Sequence, residues 1–389
     1  MKQSLAIFIN RKLISIDAIL PLLCEIKHNY PSLIIKVVCP DLSTKEAIDN
    51  NIFIKDQIDR IGSKYVLSIR NSSNKRSFYN IIKTLALLLS FCRDCIASRI
   101  TFIHFGLLFK KPYNFLNNFN NKNSFYCEND PYGFTQLMQD VTFLKKNYPI
   151  KTPIIKNGNV IAFSKIWHLD SSYKNNYKYF YFGPSRKRKF WINLVLSKSN
   201  YYIEKELYKN KLDKKSNIIS VMLGYFGDLK YLSNKDSVIQ VLDDTIQVLS
   251  KCIKKEVVVF KPHVFTDILV LEKILKKYKN FNYIITNLHP MILATRSKFS
   301  IANYYSTTLS DFNTLGVKTI EYTDYCAEAL RLTSGGSLRP EKIDYFINKD
   351  KIKLSKTVKN LLEKEQNIQY QYNNTNAERL FSALNGRQI

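Results

Sequence analysis

Three short polar segments, each following an apolar run, carry residue types suited to an anionic ligand. Lys261-Pro262-His263 follows the run 256–260, Asn303-Tyr304-Tyr305-Ser306-Thr307-Thr308 follows 299–302, and Gly224-Tyr225-Phe226-Gly227-Asp228 follows 217–223. Short continuous apolar runs of this kind read as strands buried on both faces. In parallel α/β sheets, ligands bind outside the carboxyl ends of the strands, so the three segments are expected at one sheet edge. Ser306 and Thr307 open a predicted helix over 307–315, where free backbone N–H groups and the helix dipole favour an anion and the two hydroxyls add donors. The Lys261 ammonium and the His263 imidazole would neutralise a phosphate, and an imidazole is suited to protonating a departing phosphate oxygen. Gly224 would let the backbone approach a nucleotide closely.

These segments need a scaffold, and the alternation of strand-like and helix-like stretches supplies one. In the first half, strand-like runs at 5–9, 33–38, 65–69 and 100–105 alternate with helical patterns at 16–27 and 78–97. The second half repeats the scheme: strands at 217–223, 256–260, 282–286, 299–302 and 317–321, with helices at 237–254, 266–277, 291–295 and 307–315, the last stopped by Gly316. At 389 residues the chain exceeds the roughly 250–300 at which one hydrophobic core stops growing. The expected organisation is an α/β domain at 1–190, a second at 215–345 and a helical tail at 346–389, with a linker between about 185 and 215.

Charge and cysteine usage narrow the setting. Lys and Arg number 59 against 32 Asp and Glu, for a net charge of +27, which calls for an anionic partner. The aromatic and basic stretch 173–191, with Arg186-Lys187-Arg188-Lys189 near its end, reads as a surface for a polyanionic saccharide or an anionic membrane leaflet. Nucleic acid is disfavoured, because the basic residues are spread along the chain with no helix-turn-helix, zinc-finger or RNP-like pattern. A non-catalytic polyanion-binding or nucleic-acid-binding protein is the alternative from another class. Seven scattered cysteines argue against a secreted disulfide framework. Cys92 and Cys95 read as two small residues on a helix turn, and Asp243-Asp244 as surface charges of a helix, so no metal and no cofactor is expected. The run 5–9 is too short for a signal-peptide core, and 84–92 too short to span a membrane. The expectation is a cytoplasmic protein, with peripheral attachment to the inner face of the membrane as a further option.

The plan of two α/β domains, a cleft and a helical tail resembles the two-domain glycosyltransferases of the GT-B type, which implies two Rossmann-like domains facing a central cleft. Lys261-Pro262-His263, with Ser306-Thr307 beginning 43 residues after the histidine, resembles the His-Pro and Ser-Ser/Thr motifs of bacterial sialyltransferases and polysialyltransferases. Val264 stands at the place of the motif's proline; a literal pair, His289-Pro290, ranks second and reads as a helix N-terminus. The resemblance implies an inverting transferase that moves an acidic sugar from a CMP-activated donor to an anionic glycan acceptor of capsule or lipooligosaccharide. CMP-Kdo or another cytidine-activated donor is the alternative. His263 would assist departure of CMP, with Lys261, Ser306, Thr307 and Gly224 around its nucleotide. The families' acidic motif is nearest to Cys127-Glu128-Asn129-Asp130-Pro131-Tyr132-Gly133, which implies Glu128 or Asp130 as the general base.

Overall fold

The computed structural model of the protein describes residues 3–9, 13–67, 82, 85, 86, 89–91, 93, 99–105, 124–127, 159–163, 178–207, 217–229, 231–263, 265–278, 281–340, 343–365 and 369–386. The chain divides into two compact units: the described residues up to Ile192 together with those from Asn373 onward, and the described residues from Asn193 to Tyr372.

The first unit is built on seven parallel strands. They are β1 (Gln3–Phe8), β2 (Ile34–Cys39), β3 (Gly62–Val66), β4 (Arg99–Phe105), β5 (Ser124–Cys127), β6 (Asn159–Ala162) and β7 (Lys178–Tyr181), in the order β3-β2-β1-β4-β5-β6-β7. Helix α1 (Leu13–Asn29) connects β1 to β2, and α2 (Leu42–Asp49) and α3 (Ile52–Ile61) connect β2 to β3. Side-chain caps set both later starts: Asp41 accepts the Thr44 N–H at 2.9 Å, and Asn51 accepts the Ile54 N–H at 3.2 Å.

The second unit repeats the scheme with six parallel strands. Its elements are β8 (Ile218–Met222), α5 (Ser237–Cys252), β9 (Val257–Lys261), α6 (Ile268–Leu275), β10 (Tyr283–Ile285), α7 (Pro290–Ala294) and β11 (Ser297–Ala302). Then come α8 (Leu309–Thr314), β12 (Lys318–Thr323), α9 (Ala327–Leu332), β13 (Tyr345–Asn348) and α10 (Lys351–Glu363). The strand order is β10-β9-β8-β11-β12-β13. Ile219, Val221, Val258, Phe260, Phe299, Ile301 and Ile320 of the sheet pack with Leu242, Ile246 and Leu249 of α5 and Leu354 and Val358 of α10. Covering strands with helices explains why these runs are continuously apolar.

Two stretches depart from the sequence reading. The boundary between the units, at Ile192 and Asn193, falls within the stretch 185–215 as expected, but inside a helix, α4 (Lys189–Glu206), on which Trp191, Ile192, Val195, Tyr202 and Ile203 are buried. The expected tail 346–389 is shared: α10 packs on α5 of the second unit, whereas α11 (Glu378–Leu384) packs on β7 of the first. Among the described residues no helix is long and apolar enough to cross a membrane.

The basic run is largely absorbed into the first unit. Arg186 pairs with Asp17 at 2.6 Å. Arg188, 6% exposed, donates to both carboxylate oxygens of Glu25 and to the Thr375 carbonyl, with its guanidinium 4.6 Å from the Phe182 ring centroid. Truncating one member of such a pair strands the other's charge away from water. Arg188→Ala is therefore expected to lower unfolding free energy by about 3–5 kcal/mol in urea titrations. Exposed Lys189→Ala should change it by no more than about 0.5 kcal/mol.

In the second unit, Asp324 plays the comparable part after β12. Its carboxylate accepts from Ser233 Oγ at 2.6 Å and Ser237 Oγ at 2.8 Å, and pairs with Lys349 at 3.0 Å. Burial pushes the carboxyl upward, but the Ser233, Lys349 and Ser237 donors outweigh it and hold it below the usual aspartate value. Because the folded value is depressed, the contribution to stability is present above the unfolded value, about 3.9, and is lost as pH falls through the folded one. The difference in Tm between the protein and Asp324→Asn should be widest near pH 7 and narrow towards pH 3; a gap independent of pH would contradict this account.

Candidate functional site

The three polar segments leave the second sheet from neighbouring strands. β9, β8 and β11 are adjacent, and their last residues are in register, Lys261 beside Met222 and Met222 beside Ala302. The segments therefore emerge at one edge, within two strand spacings, or about 10 Å. The strand order reverses between β8 and β11, the position at which ligands bind in doubly wound sheets, with Gly224 following one strand and the segment 303–308 the other.

Thr266 fastens the loops after β8 and β9 together. Its hydroxyl donates to the Gly224 carbonyl at 2.7 Å and accepts the His263 N–H at 2.8 Å, while the Leu223 N–H donates to the Lys261 carbonyl at 3.0 Å. His263 is exposed, and its Nδ1 accepts the Phe265 N–H at 3.3 Å. That bond assigns the proton of the neutral ring to Nε2, the nitrogen then able to donate to an anion. Lys261 is half-buried and donates through Nζ to the Pro262 carbonyl at 3.4 Å. At Gly224 an added Cβ would meet no protein atom within 4 Å, so packing inside the protein does not demand glycine.

Asn303 pins the third segment. Its buried amide donates to Thr245 Oγ1 at 2.7 Å and to the Val241 and Tyr322 carbonyls at 3.3 Å, joining the end of β11 to α5 and β12. Ser306 Oγ accepts the Thr308 N–H at 3.3 Å and lies 2.7 Å from Thr308 Oγ1. This local turn delays the helix, which was expected to start at Thr307 and instead begins at Leu309. Ser306 and Thr307 thus lie in a turn ahead of a six-residue helix, and their hydroxyls and backbone N–H groups, rather than a long helix dipole, are what they offer an anion. Gly316 ends that helix with φ +76°, and a Cβ there would stand 2.7 Å from the Gln369 backbone nitrogen.

The remaining candidates separate. Glu128 and Asp130 lie outside the described residues, immediately after β5, whose last residue is Cys127. Of the basic run, Arg186 and Arg188 are held by Asp17 and Glu25, Lys187 is half-buried and Lys189 is exposed. His289 is fully buried; it caps α7 by accepting the Met291 N–H at 3.1 Å, with Pro290 in the first turn, as the sequence suggested.

Sequence reasoning did not single out a buried polar cluster beside the third segment. Glu321 of β12 is fully buried and accepts from Ser337 Oγ at 2.8 Å. Burial pushes its carboxyl up to about 7, with the Tyr325 and Ser337 hydroxyls and the Arg339 charge drawing it back. Arg339 is 3% exposed, and its guanidinium lies 5.1 Å from the centroid of the Tyr305 ring. Ser337 and Arg339 follow a turn in which Ser334 (φ 53°) and Gly335 (φ 79°) are left-handed. The available signal was an acidic residue inside the otherwise uncharged stretch 319–323.

No protein-family model and no curated protein matches the chain. Solved structures do resemble it. A UDP-GlcNAc 2-epimerase from Methanocaldococcus jannaschii aligns with a TM-score of 0.55 and 12% identity, over 99% of this chain and 99% of that one. A UDP-GlcNAc 2-epimerase from Neisseria meningitidis, bound to UDP-GlcNAc, aligns with a TM-score of 0.54 and 12% identity, over 99% and 94%. At such identity the likeness establishes the fold: the chain has two Rossmann-like parallel α/β domains of the GT-B kind.

Proposed function

We propose that the protein is an inverting glycosyltransferase that moves an acidic sugar, sialic acid, from a CMP-activated donor to an anionic cell-surface glycan, working at the membrane face. The observation that supports this most is the convergence of Gly224, Lys261, His263, Ser306 and Thr307 on one sheet edge around a strand-order reversal. In this reading Gly224 admits the nucleotide, and the Lys261 ammonium with the Ser306 and Thr307 hydroxyls binds the phosphate. Glu128 or Asp130 takes the proton of the acceptor hydroxyl, whose oxygen then attacks the anomeric carbon from the face opposite the phosphate. The bond from anomeric carbon to phosphate oxygen breaks with its electron pair on that oxygen, and His263 Nε2–H protonates or hydrogen-bonds it. Exposed Lys189 is the member of the basic run assigned to meet the acceptor or anionic lipid, since Arg186 and Arg188 already hold carboxylates.

A second reading keeps the fold and changes the donor. Two solved structures that resemble this chain are of UDP-GlcNAc 2-epimerases, which favours a uridine nucleotide sugar as the ligand of the same edge. CMP-Kdo is the corresponding alternative within cytidine chemistry.

Thermal-shift titrations with CMP, CDP, UDP and GDP separate these readings. A ligand at a hundred times its Kd stabilises the native state by about 2.7 kcal/mol. CMP should raise Tm most; a shift with UDP and none with CMP selects the second reading, and no shift with any of them removes the nucleotide-sugar assignment. Ser306→Ala should weaken CMP binding by about 10- to 100-fold, the value of a hydrogen bond to a charged group. Gly224→Ala should leave the Tm of the unliganded protein unchanged and weaken CMP binding. With CMP-sialic acid, His263→Ala should slow CMP release by about 10²- to 10⁴-fold.

A further inference from the structure

We propose that Arg339 is a positioning residue for the segment 304–308, acting through the ring of Tyr305 and the buried Glu321 carboxylate to hold Ser306 and Thr307 at the sheet edge. The proposal rests on the donor-site reading above for its consequence in ligand binding, but not for the positioning itself.

A guanidinium that is 3% exposed requires compensation for lost hydration. The Tyr305 ring meets it directly, and Glu321 is linked to the Arg339 backbone through Ser337, whose Oγ donates to Glu321 at 2.8 Å and accepts the Arg339 N–H at 2.9 Å. Glu321, on β12 and fully buried, senses the Arg339 charge. Tyr305 presents its ring with the guanidinium carbon 5.1 Å from the centroid, within the range of a cation–π contact. Tyr305 immediately precedes Ser306, so whatever fixes its ring constrains the serine's backbone. The rings continue the attachment inward. Tyr305 lies 4.3 Å from Tyr304, Tyr304 meets Tyr325 edge-on at 5.9 Å, and Tyr325 stacks on Phe346 of β13 at 5.8 Å. Asn303 anchors the entry of the same segment through its three hydrogen bonds. Pinned at its entry and along Tyr304 and Tyr305, the segment has little freedom where the two hydroxyls stand.

The counter-charge is titratable. Glu321 faces Tyr325 from the connection between β12 and α9, and Ser337 and Arg339 from the loop after α9, with Tyr304 and Tyr305 beyond Tyr325. Its carboxyl, raised by burial, changes charge near neutrality, and protonation removes the anion that Arg339 faces. The segment should therefore be better ordered at pH 8 than at pH 6.

Hydrogen exchange on the unliganded full chain tests the positioning directly. Arg339→Met should speed exchange in peptides covering 303–309 by about tenfold, with β8 and β10 unchanged. Arg339→Lys should give a smaller increase. Tyr305→Leu, which removes the ring and leaves Arg339 and Glu321 themselves unchanged, should reproduce the effect and serves if Arg339→Met does not fold. Unchanged exchange at 303–309, or a uniform increase across the second unit, would overturn the proposal. Titration calorimetry then reads the consequence: Arg339→Lys should weaken CMP by about tenfold and leave cytidine, which lacks the phosphate, unaffected. The ratio of CMP affinity, wild type over Glu321→Gln, should rise from pH 6 to pH 8, which cancels titration of His263 and of the phosphate; a flat ratio counts against the Glu321 part. If the wild type binds no CMP, the donor reading fails and the exchange result decides the positioning alone.

Discussion

The in-register parallel pairing of β9, β8 and β11 is the constraint on which the candidate site depends. Parallel strands whose last residues align, Lys261 with Met222 with Ala302, deliver their following segments to one edge without further adjustment. The register itself follows from burial on both faces: Ile218–Met222 is buried throughout, as are the first four residues of β9 and the last four of β11. A shift along the sheet would bring polar loop residues into the core, so the hydrophobic effect that closes the second unit also aligns its chemistry. Thr266 and Asn303 then convert alignment into position, each by bonding to a neighbouring strand or loop.

Buried charge is used in the same spirit at three places. Arg188 with Glu25 and Thr375 ties the run before α4 to α1 and to the returning C-terminal segment of the first unit. Asp324 gathers Ser233, Ser237 and Lys349 around the end of β12. Glu321 and Arg339 sit beneath the segment that carries Ser306. Such groups contribute less to net stability than apolar replacements would, because desolvation offsets most of their attraction. Their geometry is specific, however, and each joins elements far apart in the chain.

Much of the fold was legible. The strands of the second sheet that carry the candidate residues, and β1 to β4 of the first, were predicted within a few residues, because continuous apolar runs have few other uses in a chain rich in lysine. The helix predicted over 237–254 is α5 (Ser237–Cys252), and Gly316 ends α8 as read. What escaped shares a feature: its structure comes from partners remote in sequence. The helical character of α4, at the junction expected within 185–215, is masked in the sequence because its tyrosines and lysines hide an apolar face supplied by Trp191, Ile192, Val195 and Ile203. Arg186 and Arg188 looked like an open basic surface because Asp17 and Glu25 lie over 160 residues away. The start of α8 moved by two residues because a serine hydroxyl competed for a backbone N–H.

The sequence by itself determined two alternating α/β units and the residues able to bind an anion, since local hydrophobic patterning specifies which segments are buried and which are left polar. Tertiary structure alone decided which guanidinium groups are held by carboxylates and rings. A guanidinium's role depends on the carboxylate or ring it meets, and those meetings, Arg188 with Glu25 and Arg339 with Tyr305, are made by folding across long stretches of chain.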